Sequence, residues 1–240
     1  MGFGSGWRVL ILGIETATQQ VGVAIGGHEG VLAQAHSSRG RRHAENLTPA
    51  IDFVRRQARI DLHEISCVAV DLGPGLFTGL RVGVAAAKAM ASALRVPMIG
   101  VSSLDLVAFP VRFSSRLIVT AIDARRGEVF YALYRQVPGG VQRLGEPRVG
   151  TPDDLASELL AAKDDILLVG DGAIRYIEAF EGLSKVEVAD KGLAHPSASS
   201  LVQLAHAQAL REQWVKPWEL SPLYLRKPDA EINWKTRDGG

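Results

Sequence analysis

Four polar segments hold the residue types that could carry chemistry. Ile14-Glu-Thr-Ala-Thr18 and Asp123-Ala-Arg-Arg-Gly-Glu-Val129 each set a carboxylate, Glu15 or Asp123, at the end of an apolar run. Hydroxyl and guanidinium donors follow at Thr16, Thr18 and Arg126. A strand-end carboxylate among such donors can position a metal–nucleotide complex or help hold an anion. It can equally cap its own hairpin, or, for Asp123 and Glu128, pair with Arg125 and Arg126. Between a predicted strand and helix lies Gly73-Pro-Gly-Leu-Phe-Thr-Gly-Leu-Arg-Val-Gly83. Gly73, Gly75 and Thr78 are therefore candidates for aiming donors at a phosphate. Neither G-x-x-x-x-G-K-[ST] nor G-x-G-x-x-G is present, and Pro74 lacks an N–H. The same glycines also suit tight turns and close helix packing. The fourth segment, Arg42-His-Ala-Glu-Asn-Leu47, offers His43 as an anchor for a loop or interface hydrogen bond, or as a general base.

Metal and nucleophile chemistry find little support. The histidines at 28, 36, 43, 63, 195 and 206 form no pair at helical spacing, so no metal and no cofactor is expected. Cys67 sits in an apolar run, where burial disfavours the thiolate and the residue behaves as a small hydrophobe. No G-x-S-x-G elbow occurs.

The elements that must position these groups alternate between strand and helix. Val9–Ile14 and Val21–Ile25 read as a hairpin, Val31–His36 as a third strand, and Cys67–Leu72 and Pro97–Val101 as two more. Leu47, Ile51, Val54 and Ala58 recur at helical spacing, with Pro49 suited to a first turn; a second helix covers Gly79–Leu94. Leu117–Ile122 and Glu128–Tyr134 form another hairpin, then come a helix opened by Thr151-Pro-Asp-Asp154, a strand at Ile166–Val169 and a helix at Ala198–Glu212. The two hairpins match: Ile14-Glu15 precedes Val21 by the same gap that separates Ile122-Asp123 from Val129, 108 positions later. This points to an internal duplication. The fold class is α/β, with duplicated subdomains over residues 1–105 and 106–240, the latter ending in a Pro-containing surface tail.

Together, in this order and spacing, the four motifs resemble the TsaB (YeaZ) family, accessory subunits in bacterial tRNA threonylcarbamoyladenosine (t6A) biosynthesis. The Gly-Pro-Gly-x-Phe-Thr-Gly-Leu-Arg string is the specific part; Ser221-Pro-Leu-Tyr-Leu-Arg226 is a weaker echo. The motif residues are His43, Glu45, Gly79, Arg81 and Glu128. The resemblance implies an actin-like, sugar-kinase and Hsp70-type fold. It also implies a subunit without catalytic activity that supports threonylcarbamoyl transfer to N6 of adenosine-37 by dimerising with the catalytic paralogue TsaD. The ATPase subunit TsaE joins the pair. Alone the chain is expected to form a homodimer.

The family pairs through the two helices singled out above. Leu47, Ile51 and Val54 of the first and Val82, Ala85, Ala86 and Ala89 of the second are the implied interface. Small residues around most of the second helix mean that it is covered on more than one side; the alternative cover is the chain's own second half. In the catalytic paralogue an H-x-x-x-H metal pair falls in a register that here holds Ser103 and Val107. Two rival functions follow from the fold: a small-molecule kinase or ATPase, which needs nucleotide at Glu15 and Asp123, and a metallopeptidase of the glycoprotease type.

Composition narrows the partners. With 240 residues and 47% of them hydrophobic, the chain can bury a core without disulfides or metal. One cysteine fits a reducing compartment. The longest apolar stretch, Val82–Leu94, includes Lys88 and is too short to cross a membrane. Residues 1–6 lack a signal-peptide pattern, so a cytoplasmic protein is expected. A net charge of +1 gives no global basic footprint, so tRNA is expected only through the complex. The Arg39–His43 loop and the tail at Tyr224-Leu-Arg-Lys227 are open as subsidiary tRNA contacts.

Overall fold

A computed structural model describes residues 9–38 and 43–226. The Arg39–Arg42 part of the basic loop and Lys227 lie outside them. The first sheet contains β1 (Leu10–Glu15), β2 (Val21–Gly27) and β3 (Gly30–Ser37), then β4 (Cys67–Asp71) and β5 (Met98–Val101), in the order β3-β2-β1-β4-β5. The first three run antiparallel; β4 and β5 are parallel to β1. The second sheet contains β6 (Leu117–Arg125), β7 (Glu128–Val137), β8 (Gly140–Arg143), β9 (Arg148–Gly150), β10 (Ile166–Val169) and β11 (Val186–Val188). Its order is β8-β7-β6-β10-β11, with β9 beside β7. Both sheets therefore repeat one plan: an antiparallel meander extended by two parallel strands. This is the duplicated α/β plan expected from the two hairpins.

Strand alternation sends side chains to both faces of each sheet, so both faces must be covered. Helices α1 (His43–Ala58) and α2 (Phe77–Leu94) cover one face of the first sheet. There Leu47, Ile51 and Val54 meet Leu12, Ile14, Val23, Val68 and Val70. The opposite face presents Ile11, Ala24, Ala69, Ile99 and Val101 to α6 (Ala198–Ala209). In the second sheet, α4 (Pro152–Ala161) and α5 (Asp171–Arg175) cover Leu117, Val119 and Ala121. Helix α3 (Ser103–Ala108) packs Leu104, Val107 and Ala108 against Ile118, Ile122 and Tyr134 on the other side. Thus α3 follows the first sheet in sequence and packs on the second, while α6 follows the second and packs on the first. The halves exchange helices.

Two local readings change. Helix α1 begins at His43, so Pro49 lies inside it and not in its first turn. Pro49 is on the exposed side, while His43 and Leu47 anchor the earlier turn inward. The C-terminal segment is more than a surface tail. Val215 pairs with Met98 through two backbone hydrogen bonds, Leu220 is buried in the first half, and Arg226 reaches the Ala124 carbonyl of the second. Thr151 caps α4 with a reciprocal pair of hydrogen bonds to Asp154, as its sequence foretells. No helix among the described residues is long and apolar enough to cross a membrane.

Because α6 closes one face of the first sheet, Leu201→Ala, at a fully buried position, should lower stability by about 2–5 kcal/mol. Urea unfolding followed by circular dichroism measures it.

Candidate functional site

The strand-end groups converge where α2 meets the first hairpin. After β4, Gly73 takes a positive φ of 95° and turns the chain toward Gly75 and α2. The helix then passes over the turn that follows Glu15. A Cβ on Gly75 would collide with the Ala17 carbonyl, one on Gly79 with the Thr16 carbonyl, and one on Gly83 with Thr16 Oγ1. The glycine pattern is thus the footprint of backbone lying on backbone. Thr16 Oγ1 donates to the Gly79 carbonyl at 2.8 Å, and the Leu76 N–H donates to the Ala17 carbonyl at 2.7 Å. Buried His43, at the start of α1, donates from Nε2 to the Thr18 carbonyl at 2.8 Å. The two motifs around Glu15 and His43 therefore meet on one turn.

Of the donors expected to face a phosphate, the Gly73 N–H and Thr16 Oγ1 are engaged inside the chain. The Gly73 N–H donates to Asp71 Oδ1 at 2.8 Å, and the Ala17 N–H donates to Glu15 Oε1 at 2.8 Å. Thr78 is exposed on the first turn of α2, and Arg126 is exposed on the β6–β7 turn with a left-handed φ of 58°. Arg81 stacks its guanidinium 3.8 Å from the Phe77 ring centre, and Phe77 in turn packs against Tyr224. Glu45 is exposed on α1; Glu128 pairs with Arg226.

Two carboxylates that the hairpin argument did not name complete the picture. Asp71 stands beside Glu15, and Asp171 stands beside Asp123. Each ends or follows the parallel strand next to its hairpin, and each has a glycine within two residues, a signal readable in Asp71-Leu-Gly73 and Gly170-Asp-Gly172. Asp171 Oδ1 accepts the Asp123 N–H at 3.0 Å. Burial pushes the Asp171 carboxyl above its usual range, with the Asp123 charge adding to the push. Asp123 accepts the Arg125 N–H at 2.9 Å and forms ion pairs with Arg125 at 3.1 Å and Arg175 at 3.6 Å. Between the halves, Ala17, Thr18, Gly75, Asp123, Arg125 and Asp171 line a small, partly open pocket of about 10 Å³, room for roughly one water.

Ser103 and Val107 are inside the fold. Ser103 Oγ donates to Asp71 Oδ1 at 2.6 Å, and Val107 belongs to the core of the second half. Among the described residues no group of three His, Cys, Asp or Glu is placed to hold a metal. Burial pushes the Cys67 thiol up to about 12, as a buried structural cysteine requires.

The expected interface divides. Leu47, Ile51 and Val54 are 3%, 9% and 0% exposed and lie in the chain's own core, which corrects their assignment to an outer face. The sheet beneath α1 demands that apolar stripe for itself. Ala85 and Ala89 are exposed, while Val82 and Ala86 are partly buried beside the core. Phe53, half exposed on the outer side of α1, is an apolar candidate the sequence reasoning passed over.

Comparison with known proteins follows the same lines. The family model for TsaD, tRNA N6-adenosine threonylcarbamoyltransferase, matches residues 30–234. The chain is 36% identical to the uncharacterized protein ML0378 of Mycobacterium leprae over 92% of its own length, and spans 56% of that relative. It is 29% identical to the tRNA threonylcarbamoyladenosine biosynthesis protein TsaB of Bacillus subtilis, covering 93% of this chain and 97% of that one. The solved structure of YeaZ from Pseudomonas aeruginosa superposes with a TM-score of 0.79 at 26% identity, over 90% of this chain and all of that one.

In a helix interior, Gly→Ala ordinarily gains about 0.5–1 kcal/mol. Gly79→Ala and Gly83→Ala should instead lose about 1–3 kcal/mol, because the methyl group overpacks against Thr16. Thermal melts give the sign directly.

Proposed function

The chain belongs to the TsaD-type family, within it to the TsaB (YeaZ) group of t6A biosynthesis, and we propose that it acts there as a non-catalytic partner subunit. In this reading it docks against the catalytic paralogue TsaD and supports threonylcarbamoyl transfer to N6 of adenosine-37. TsaE joins the assembly, tRNA is engaged only through it, and the isolated chain forms a homodimer through the same face. The setting is the cytoplasm.

The observation that carries this reading is the outer face of α2. An 18-residue helix turns Ala85 and Ala89 to solvent, flanked by Val82 and Ala86, and the neighbouring α1 leaves Phe53 half exposed. Small side chains there let another helix approach closely, and an aromatic at the edge supplies the kind of anchor that concentrates binding energy. A face of this sort on two adjacent helices suits a helical partner with a patch of about 800 Å². The interior supports a scaffold in a second way. Glu15 and Asp71 each accept an internal backbone N–H, the Gly79 carbonyl accepts from Thr16, and the partly open pocket between the halves has room for roughly one water.

Ala89→Glu and Ala85→Glu place a charge on that face without touching the core. Each should leave urea stability within about 0.5 kcal/mol and weaken association with TsaD by tenfold or more, which sedimentation and co-purification measure. Reconstituted tRNA modification should fall in parallel at limiting protein. Undiminished association in both variants would place the partner on a different face.

A further inference from the structure

Glu15 and Asp71 are fully buried carboxyls that the docking reading leaves without a task. Their strands are parallel neighbours, with Ile14 beside Val70, so the next residues, Glu15 and Asp71, stand abreast at the strand ends. Alternation points both side chains to the same face. Each residue is 1% exposed. Oδ1 of Asp71 accepts from the Gly73 N–H and the Ser103 hydroxyl, but Oδ2 is buried with no hydrogen-bond partner. Glu15 accepts from the Ala17 N–H.

Among the described residues, nothing packed around the pair neutralises it. From α3 the charged neighbour is Asp105, another carboxyl, itself engaged with the Tyr134 hydroxyl at 2.8 Å and Arg143 at 3.5 Å. From α6, Ala198 and Val202 approach the neighbouring glycines of β1 and β2; from α2, Gly79 and Gly83 lie against Thr16, the residue after Glu15; from the C-terminal segment, Leu220 and Leu223 lie by β5 and Gly73. His43 of α1 is occupied by the Thr18 carbonyl. Two like charges side by side in a buried site cannot both persist, whereas one proton turns the repulsion into a hydrogen bond and gives the orphaned oxygen a partner.

We infer that Glu15 and Asp71 hold one proton between them and form a pH-sensitive latch where the first hairpin, the glycine loop and α3 meet. Asp71 binds Gly73, which leads into α2, and Ser103, which opens α3; the Ser103 N–H also donates to the Gly73 carbonyl at 2.8 Å. Losing the proton sets charge repulsion at the root of both helices, one bearing the outer face and the other reaching the second sheet. Burial raises both carboxyls, Asp71 to about 7, with Asp71 further raising Glu15.

The sign follows. Unfolded, both groups release their protons near the ordinary carboxylate values of about 4. Between there and the raised folded value the native state keeps a proton that the unfolded state has lost, so this contribution to stability falls as pH rises. Asp71→Asn reproduces the protonated form: its oxygen can accept from Gly73 and Ser103, and its amide can donate to Glu15. Relative to that variant, the wild-type unfolding constant should rise by up to about tenfold per pH unit between pH 5 and pH 7, then level off. In pH-stat titration, urea unfolding of the full chain at pH 6 should release about one proton more from wild type than from the variant. Glu15→Gln, which removes the other charge, should flatten the curve likewise and serves if Asp71→Asn does not fold. Parallel pH curves with equal proton release would overturn the inference. So would Mg²⁺ or Ca²⁺ raising the melting temperature of wild type but not of Asp71→Asn, since the pair would then hold a cation.

Discussion

The close seating of α2 on the Glu15–Ala17 turn is the constraint on which the rest of the structure depends. Three glycines remove the Cβ atoms that would hold the two backbones apart, so carbonyls of the turn lie against the helix itself. That approach aligns Thr16 Oγ1 with the Gly79 carbonyl and brings the Leu76 N–H to the Ala17 carbonyl. It also sets the height of α2 above the sheet, and hence which residues are left outside. With Leu80, Val84, Ala87 and Ala91 directed into the core, Ala85 and Ala89 face outward. The inward glycines and the outward alanines are two sides of one helix placement.

The second structural device is the exchange of helices between the halves. Because α3 packs on the second sheet and α6 on the first, separating the halves would uncover Leu104 and Val107 on one side or Leu201 and Val202 on the other. The segment from Val215 to Arg226 repeats the crossing along the surface, from Met98 through Leu72 to Ala124. Large-amplitude opening of the kind that admits a nucleotide between two lobes would break apolar contacts worth several kcal/mol, at about 25 cal/mol for each Å² exposed.

Much of the fold is legible from residue patterns, and the failures share a cause. The hairpins, β4, the capped α4 and α6 are written in local periodicity and turn residues, which report on neighbours in sequence. The start of α1 is not, because Pro49 carries a strong local signal that is overridden by His43 and Leu47 finding partners on a distant turn and sheet. The inward stripe Leu47, Ile51 and Val54 is regular in sequence, but periodicity cannot say whether its partner is the chain's own sheet or another molecule. Partners of α3 and α6 are equally invisible, since each packs on the half it does not follow. Asp71 and Asp171 escaped notice for a related reason: their meaning comes from the strand alongside, set by parallel pairing across 56 residues in the first half.

The two halves also show how duplicated geometry can diverge electrostatically. Each sheet brings two carboxyls to the ends of adjacent strands, at the hinge of the molecule, where like charges demand an answer. In the second half, Arg125 and Arg175 stand by Asp123 at a partly open edge, and the Asp171 carboxyl takes the Asp123 N–H. In the first half Glu15 and Asp71 lie on the sheet face that α6 covers, with Ala198 beside Glu15, and among the described residues they keep only short-range donors. Opening the first site to admit a counter-charge would lift α6 off the sheet. The same packing that buries the pair keeps a counter-charge out, leaving a proton as the smallest group that can neutralise it.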